Sequence, residues 1–221
     1  MKKSSKRALA LIIAVAMCVG MFAVSAAAAN TNYTQNWNNG KGSSTFTNGS
    51  GGNFSATWNL NAGGNCVIGK GWNPGNANMV IGYNVGVFNQ TSSSGCTWFG
   101  LYGWTTNSLV EFYVIDRWVN YRPAEGTKLG TLTSDGQTYE VWKSQQVNQP
   151  SISGTQTYWR IMSVNLVQRA LGQNNTITLA NHVAGWKRLG FNIGTNWNYV
   201  ILAVEGYESK GSFSGTVWST P

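Results

Sequence analysis

The chain has 221 residues and is rich in glycine (27), tryptophan (11) and tyrosine (9), but it has only 4 prolines. This length suits one domain with a substantial core. Four of the fifteen basic residues lie within the first seven positions, so the remainder carries eleven basic against seven acidic residues, a net charge of +4. These charges are scattered, which excludes the Lys/Arg stripe of a nucleic-acid-binding face. We therefore expect no nucleic-acid partner.

The first 29 residues have the pattern of a secretory signal peptide. A basic start precedes the apolar run Ala8–Val24, and the small residues of Ser25–Ala29 suit a signal-peptidase site. The apolar run is about long enough to span a bilayer, so an uncleaved membrane anchor is the alternative. Cleavage would leave residues 30–221 as a single secreted, extracellular domain with no membrane partner.

Cys66 and Cys96 are the two cysteines that follow this leader. In a secreted chain they could pair and close a loop of about thirty residues. Both lie in strand-like runs, so two buried thiols are the equal alternative. His182 is the single histidine, and no paired Cys or His spacing typical of a metal site occurs. We expect neither a metal nor a cofactor.

Short aromatic and β-branched runs, separated by glycine and asparagine turns, predict an all-β fold. The predicted strands are Tyr33–Asn38, Ser43–Thr47, Phe54–Leu60, Cys66–Trp72, Met79–Phe88, Cys96–Thr105, Ser108–Trp118, Lys128–Thr133, Thr138–Lys143, Tyr158–Leu166, Phe191–Asn192, Tyr199–Glu205 and Ser212–Trp218. Asn148–Thr155 is predicted to be an excursion between two strands. Asn181–Leu189 is predicted to be the single helix, because its apolar residues recur at helical spacing. Strands at these intervals indicate an antiparallel sandwich or partial barrel with one helix on its outside.

Two of the predicted strands carry a glutamate among apolar and aromatic residues. Because side chains alternate along a strand, Glu111 shares a face with Tyr113, and Glu205 shares one with Tyr207. An unpaired carboxylate in such a place is costly unless the protein uses it. The remaining carboxylates lie in turns and loops, lack an identifiable partner or point to the opposite strand face: Asp116, Glu125, Asp135, Glu140 and Glu208. We expect Asp116 and Glu208 to make structural ion pairs or to face solvent.

Two facing carboxylates in an aromatic cleft fit glycoside hydrolysis. One carboxylate attacks the anomeric carbon and the other protonates the leaving oxygen, if the two stand ~5–5.5 Å apart. The alternative is a pair of strand glutamates that merely face water on a sandwich surface. The many aromatic side chains also suit stacking on sugars, but they would serve a non-catalytic lectin equally well.

Two segments resemble the catalytic segments of family 11 of the glycoside hydrolases, the endo-β-1,4-xylanases. Leu109–Tyr113, with the sequence LVEFY, is similar to the nucleophile segment, and Ala203–Tyr207, with the sequence AVEGY, is similar to the acid/base segment. Further similar segments follow in family order: Gln35–Trp37, Gly69–Trp72, Leu101–Thr105, Tyr121–Pro123, Pro150–Ile152 and Asn181–Val183. The resemblance covers essentially the whole chain after the leader.

This resemblance implies a β-jelly roll of two curved antiparallel sheets, with one α-helix packed on the outside and a concave face that forms a cleft. A mobile thumb loop closes over that cleft in the family. Glu111 would be the nucleophile and Glu205 the acid/base of a retaining endo-1,4-β-xylanase that cuts internal xylan linkages. That mechanism requires Glu111 ionised and Glu205 protonated near the working pH.

The resemblance also implies a set of substrate-binding residues. They are Trp37 and Tyr199 as cleft aromatics, Tyr102 and Tyr113 beside the nucleophile, Asn65 beside the acid/base, Arg122 as a positioning residue, and Pro150, Ser151 and Ile152 as the thumb tip. Some relatives carry Asp at the position of Asn65, and an asparagine there is associated with a pH optimum nearer neutral. We expect a monomer whose partner is xylan or β-1,4-xylo-oligosaccharides.

The chain departs from the family pattern near the thumb. Gln146 stands where the family usually has Arg, and Arg160 stands where it usually has Gln. We hypothesise an exchange between neighbouring strands that keeps one cation near Glu111 and so holds that carboxylate ionised. Met162 replaces a common tryptophan in the same region.

Three alternatives to an active xylanase are distinguishable. The first is a non-catalytic or slow xylan-binding protein derived from such an enzyme, although the presence of both glutamates and both neighbouring tyrosines argues against it. The second is a glucan-active relative on the same architecture, and the third is a structural cell-surface β-sandwich that ignores both polymers.

Overall fold

The computed structural model describes residues 31–220, so the predicted signal peptide and its cleavage site lie outside the described residues. The elements are β1 (Tyr33–Asn38), β2 (Gly42–Asn48), β3 (Asn53–Leu60), β4 (Asn65–Trp72), β5 (Val80–Gln90), β6 (Cys96–Thr106), β7 (Val110–Val119), β8 (Thr127–Ser134), β9 (Gln137–Ser151), β10 (Gly154–Asn165), β11 (Asn175–Thr178), α1 (Leu179–Arg188), β12 (Asn196–Tyr207) and β13 (Lys210–Thr220). Alternating apolar side chains and glycine or asparagine turns produce these short strands.

The strands form two sheets. The larger has the order β1-β4-β12-β6-β7-β10-β9-β8, and the smaller has the order β11-β5-β13-β3-β2. Neighbouring strands run antiparallel, except that β10 pairs with β7 in parallel. Two sheets with one helix confirm the predicted β-jelly roll. The parallel pairing of β7 and β10 was not expected, because both sheets were predicted to be antiparallel.

One face of the large sheet packs on the small sheet, and the other face carries the cleft. On β7, Phe112 and Val114 belong to the core shared by the two sheets, whereas Tyr113 and Ile115 belong to a second cluster on the cleft face. The predicted alternation along this strand is therefore confirmed. It places Glu111 on the same face as Tyr113.

The helix α1 packs beside the small sheet, against the core-facing side of the large one. Trp186 is fully buried, and its ring centroid lies 5.9 Å from that of Phe112. The helix ends at Arg188, followed by Leu189 and by Gly190 at φ +83°, a conformation that glycine adopts without strain. The predicted helix is confirmed, two residues earlier at its start than expected.

The largest difference between the predicted and observed strands lies around Asn148–Thr155. This segment is not an excursion between strands but the end of a long hairpin, in which β9 extends to Ser151 and β10 starts at Gly154. Its side chains are mostly exposed and polar on both faces, so no apolar alternation marked it as strand. We call residues 146–158 the thumb hairpin.

Two smaller predictions also changed. The short polar strand Asn175–Thr178 was not expected, and it is held by pairing with β5. Phe191–Asn192 is not a strand, because the backbone N–H of Phe191 donates to the carbonyl of Trp186 at the end of the helix.

Cys66 and Cys96 are both free thiols rather than a disulfide, the first buried and the second partly exposed. None of the helices in residues 31–220 is long and apolar enough to cross a membrane.

Candidate active site

The two predicted catalytic glutamates lie on the cleft face of the large sheet. Glu111 is on β7 and Glu205 is on β12, and β6 runs between these two strands. Both carboxylates line a cavity of about 800 Å³, although their residues are only 4% and 7% exposed. Their burial matters because an ionised carboxylate is stable there only with partners.

Glu111 is held by three donors. The hydroxyls of Tyr102 and Tyr113 both contact its Oε1, at 2.9 and 3.1 Å. The guanidinium of Arg160 donates through Nε to Oε2 at 2.6 Å. Because β10 pairs with β7 in parallel, Arg160 stands directly beside Glu111 in the register. Charge-assisted bonds of this kind stabilise the ionised carboxylate.

Glu205 is set up differently. The amide of Asn65 donates to its Oε1 at 3.0 Å, and the hydroxyl of Tyr113 lies 2.9 Å from its Oε2. Burial first, and then the negative charge of Glu111, raise the pKa of Glu205 to about 7 against the opposing charge of Arg160. Glu205 therefore holds a proton at pH values where an ordinary carboxyl group has lost it.

The hydroxyl of Tyr113 links the two carboxylates. It lies 3.1 Å from Glu111 and 2.9 Å from Glu205, so no more than 6.0 Å separates those two carboxylate oxygens. A tyrosine hydroxyl has one proton to donate. If it donates to Glu111, the short contact with Glu205 is satisfied when protonated Glu205 donates to the tyrosine oxygen. The geometry thus fits one ionised and one protonated carboxyl group.

Aromatic side chains form the walls around this pair. The indole of Trp104 donates to the Tyr102 hydroxyl at 2.7 Å, which fixes the tyrosine that contacts Glu111. Tyr158 packs edge-on against Trp104, and its hydroxyl donates to the carbonyl of Pro150 at 2.9 Å. The thumb hairpin is thereby connected to the ring network beneath the nucleophile.

Most of the predicted binding residues reach this cavity. Beside the two glutamates, its lining includes Trp37, Asn65, Tyr102, Tyr113, Gln146, Pro150, Ser151, Ile152, Arg160 and Tyr199. Arg160, rather than Gln146, contacts Glu111. The amide of Gln146 donates instead to the Ser144 hydroxyl at 3.0 Å.

Arg122 has its partners outside the cavity. It donates to Glu140 at 2.6 Å and to the Val164 carbonyl at 3.2 Å, and its guanidinium lies over the Trp118 ring. The structure does not bring it to either catalytic glutamate, nor does it line the cavity. Arg122 anchors the loop that follows β7 to β9, and its role as a positioning residue stays a prediction.

Several lining residues were missed at the sequence level. Tyr33, Trp98 and Tyr207 all lie on strands, at even spacing from the predicted Trp37, Tyr102 and Glu205, and the alternation rule alone identifies them as cleft-facing. Glu125 also lines the cavity, but it lies in a loop without periodicity. No local signal could have placed it there.

The other buried carboxylate, Asp116, faces the opposite side of β7. It accepts hydrogen bonds from Tyr83, Tyr139 and Asn165 and lies 3.6 Å from Arg169, with no exposed surface. Asp116 and Arg169 thus form a structural ion pair, which is one of the two outcomes expected for Asp116. Among residues 31–220, no group of three or more His, Cys, Asp or Glu side chains is arranged to hold a metal ion.

Known proteins share this sequence and architecture. The family model described as glycosyl hydrolases family 11 matches residues 29–216. Endo-1,4-beta-xylanase 3 of Pyricularia oryzae is 47% identical over 187 residues, which cover 84% of this chain and 75% of that protein. The bifunctional xylanase/xylan deacetylase of Cellvibrio japonicus is 43% identical over 91% of this chain and 32% of its own length.

A solved structure from a comparison of two major endo-1,4-beta-xylanases of Trichoderma reesei superposes with a TM-score of 0.74. Its identity to this chain is 39%, and the match covers 86% of this chain and 99% of that one. Family model, sequence relatives and fold agree with one another. The chain therefore belongs to family 11 of the glycosyl hydrolases.

Proposed function

We propose that this glycoside hydrolase is a secreted, retaining endo-1,4-β-xylanase, with Glu111 as nucleophile and Glu205 as acid/base. The observation that supports this assignment best is the Tyr113 hydroxyl shared between the two carboxylates. The upper limit of 6.0 Å that it sets on their nearest oxygens is compatible with the ~5–5.5 Å of retaining enzymes. Inverting enzymes need ~6.5–9.5 Å to admit a water between the carboxyl groups.

In the first step, ionised Glu111 attacks the anomeric carbon, while protonated Glu205 gives its proton to the leaving oxygen. The product is a covalent glycosyl-enzyme and a shortened chain with a free hydroxyl. Arg160 and the two tyrosines donate hydrogen bonds to the Glu111 carboxylate before the attack. Two donors on Oε1 and one on Oε2 also fix the orientation of the carboxylate.

In the second step, Glu205 acts as a base. The glycosyl ester removes the charge of Glu111, and that charge is one of the causes that raise the pKa of Glu205. Glu205 therefore loses its proton more readily in the intermediate. It then takes a proton from water, the resulting hydroxide attacks the anomeric carbon, and Glu111 leaves as a carboxylate. Two displacements restore the original anomeric configuration.

Two further parts of the proposal rest on other observations. Xylan is the proposed substrate because the relatives named above are xylanases and because a five-carbon sugar lacks the hydroxymethyl arm that a narrow cleft can exclude. Secretion is proposed from the leader alone, which has a basic start, an apolar run and small residues at its end, as a signal peptide does.

The test is time-resolved mass spectrometry and reducing-sugar release on xylan and on cellulose, with proton NMR of the first anomer formed. We expect rapid shortening of xylan but not of cellulose, and release of the β-anomer first. Glu111→Gln and Glu205→Gln should both lose this activity, while Glu140→Gln, outside the cleft, should keep it. Xylan binding without shortening by the native protein would support a binding protein instead, and an α-anomer would contradict the retaining mechanism.

A further inference from the structure

Glu125 is a carboxylate in the cleft that the proposed reaction does not use. It lies in the loop between β7 and β8, its side chain is 47% exposed, and it lines the same cavity as the catalytic pair. The charged residues that line this cavity, among those that the structure describes, are Glu111, Glu125, Arg160 and Glu205. Their balance decides which sign of charge the substrate meets.

Arg160 lies between two carboxylates but is committed to one of them. Its Nε is 2.6 Å from Glu111 Oε2, whereas its Nη1 is 3.5 Å from Glu125 Oε2. The shorter contact is a strong charge-assisted hydrogen bond inside the protein, and the longer one is at the limit of bonding and open to water. Below about pH 7, Glu205 keeps its proton, and Arg160 balances the charge of Glu111. The charge left over is that of Glu125.

Among the residues that the structure describes, Arg160 is the one cation that lines this cavity. Cys96, at the start of β6, lines it as well. Burial first, and then the charges of Glu205, Glu125 and Glu208, raise the pKa of its thiol to about 11. Lys128, a cation on β8, is paired with Glu140 and does not line the cavity.

We infer that Glu125 is a specificity-determining residue that disfavours substrate chains with anionic side groups near the scissile bond. This inference rests on the proposed function, since it concerns the substrates of that same site. A xylan with uronic-acid side groups carries carboxylates along its chain. A carboxylate that binds near the loop after β7 faces Glu125 across water. Two unit charges some 7 Å apart in water change a rate constant about two- to three-fold.

The test compares a glucuronic-acid-substituted xylan with the same polymer after chemical reduction of its carboxyl groups. Reduction removes the charge and leaves the size of the side group nearly unchanged, so it separates electrostatic from steric discrimination. The readout is the ratio of kcat/KM for the reduced and the acidic polymer within each protein. Any general effect of a substitution on the enzyme cancels in that ratio.

For the native protein at about 10 mM ionic strength, we expect a ratio of about two to three that falls toward one at about 1 M salt. Glu125→Gln should give a ratio near one at both salt concentrations, and Glu125→Asp, which keeps the charge, should retain most of the native ratio. Glu140→Gln removes a carboxylate outside the cleft and is the matched control. Its ratio should equal the native one.

Two results would overturn the inference. A native ratio of one at low salt would mean that the charge of the side group is not sensed at all. A ratio above one that neither salt nor Glu125→Gln reduces would assign the discrimination to another feature of the polymer. Failure to cleave even the reduced polymer would overturn the proposed function itself, and this assignment with it.

Discussion

The two faces of strand β7 carry two buried carboxylates with nearly the same partners. On the cleft face, Glu111 contacts two tyrosine hydroxyls and an arginine. On the core face, Asp116 also contacts two tyrosine hydroxyls and an arginine, together with an asparagine amide. The residue types around a carboxylate therefore do not distinguish a catalytic group from a structural one.

The difference lies in access and in a second carboxylate. Glu111 borders a cavity of about 800 Å³ and shares the Tyr113 hydroxyl with Glu205. Asp116 has no exposed surface, and no second acidic side chain shares its donors. A reaction needs a proton donor opposite the nucleophile and room for the substrate. Only the cleft face of β7 supplies both.

The first prediction is the loss of activity when the cleft carboxylate is neutralised. Glu111→Gln should lower kcat/KM on xylan by at least about a thousand-fold, because the amide neither attacks the anomeric carbon nor leaves as an anion. Reducing-sugar release measures the loss, and near-ultraviolet circular dichroism checks that the aromatic core is intact. A Glu111→Gln protein that retains more than a tenth of native activity would contradict the nucleophile assignment.

The matching change on the core face should affect stability instead. Asp116→Asn leaves the guanidinium of Arg169 without its buried counter-charge, which costs about 3 kcal/mol and lowers Tm by roughly 6–12 °C. Below the transition, kcat/KM should remain within about two-fold of native, because none of the hydrogen-bond or ion-pair partners of the Asp116 side chain lines the cavity. Thermal unfolding followed by circular dichroism tests this. Loss of activity in a variant of native Tm would show that the two faces are not separable.

The sequence predicted the local part of this arrangement. Alternation along Ser108–Trp118 assigned Glu111 and Asp116 to opposite faces, because that rule depends only on the strand conformation. The same rule placed Tyr113 with Glu111 and Tyr207 with Glu205. The resemblance to the family then supplied the jelly roll and a set of binding residues, most of which line the cleft.

The contacts that the residue pattern could not supply are long-range. Arg160 reaches Glu111 because β10 pairs with β7 in parallel, and nothing in either segment specifies that register. The partner of Arg122 is Glu140 on β9, two strands away from β7 in the sheet, and position in a motif could not indicate this pairing. The strand conformation of Asn148–Thr155 was not predicted, because its side chains are mostly polar and exposed and show no apolar alternation.

The third prediction tests whether the cation beside Glu111 has been exchanged between neighbouring strands. Arg160→Gln alone should lower kcat/KM about 10- to 100-fold, because Glu111 loses its charge-assisted bond. Adding Gln146→Arg should restore much of the loss, because Gln146 lines the cavity from the neighbouring strand. The double-mutant cycle for positions 146 and 160 measures this coupling.

A matched control separates charge at the site from charge in general. Gln145 precedes Gln146 on β9, and its side chain points to the opposite face of the sheet. Gln145→Arg combined with Arg160→Gln therefore adds the same cation without bringing it to Glu111, and it should not restore activity. Additive losses in the Gln146→Arg, Arg160→Gln protein, with no rescue, would rule out the exchange.

The smallest expected effect concerns the proton on Glu205. Because the mechanism needs this group protonated, kcat/KM of the native protein should fall as the pH rises through about 7, the value to which burial raises its pKa. The amide of Asn65 donates to Glu205 Oε1 and stabilises the ionised form, so it lowers that pKa. Asn65→Ala should therefore move the alkaline limb upward by about half a pH unit.

The control for this shift is Gln35→Ala, since Gln35 also lines the cleft but accepts its hydrogen bond from Tyr33 rather than contacting Glu205. Its alkaline limb should stay at the native position. A downward shift in Asn65→Ala would mean that the amide favours the protonated acid, which would reverse its role. Because Asp116 has no catalytic proton to lose, Asp116→Asn should leave both limbs of the pH profile in place. The pH profile therefore distinguishes the catalytic carboxylates on the cleft face of β7 from the structural one on its core face, whatever the absolute rate.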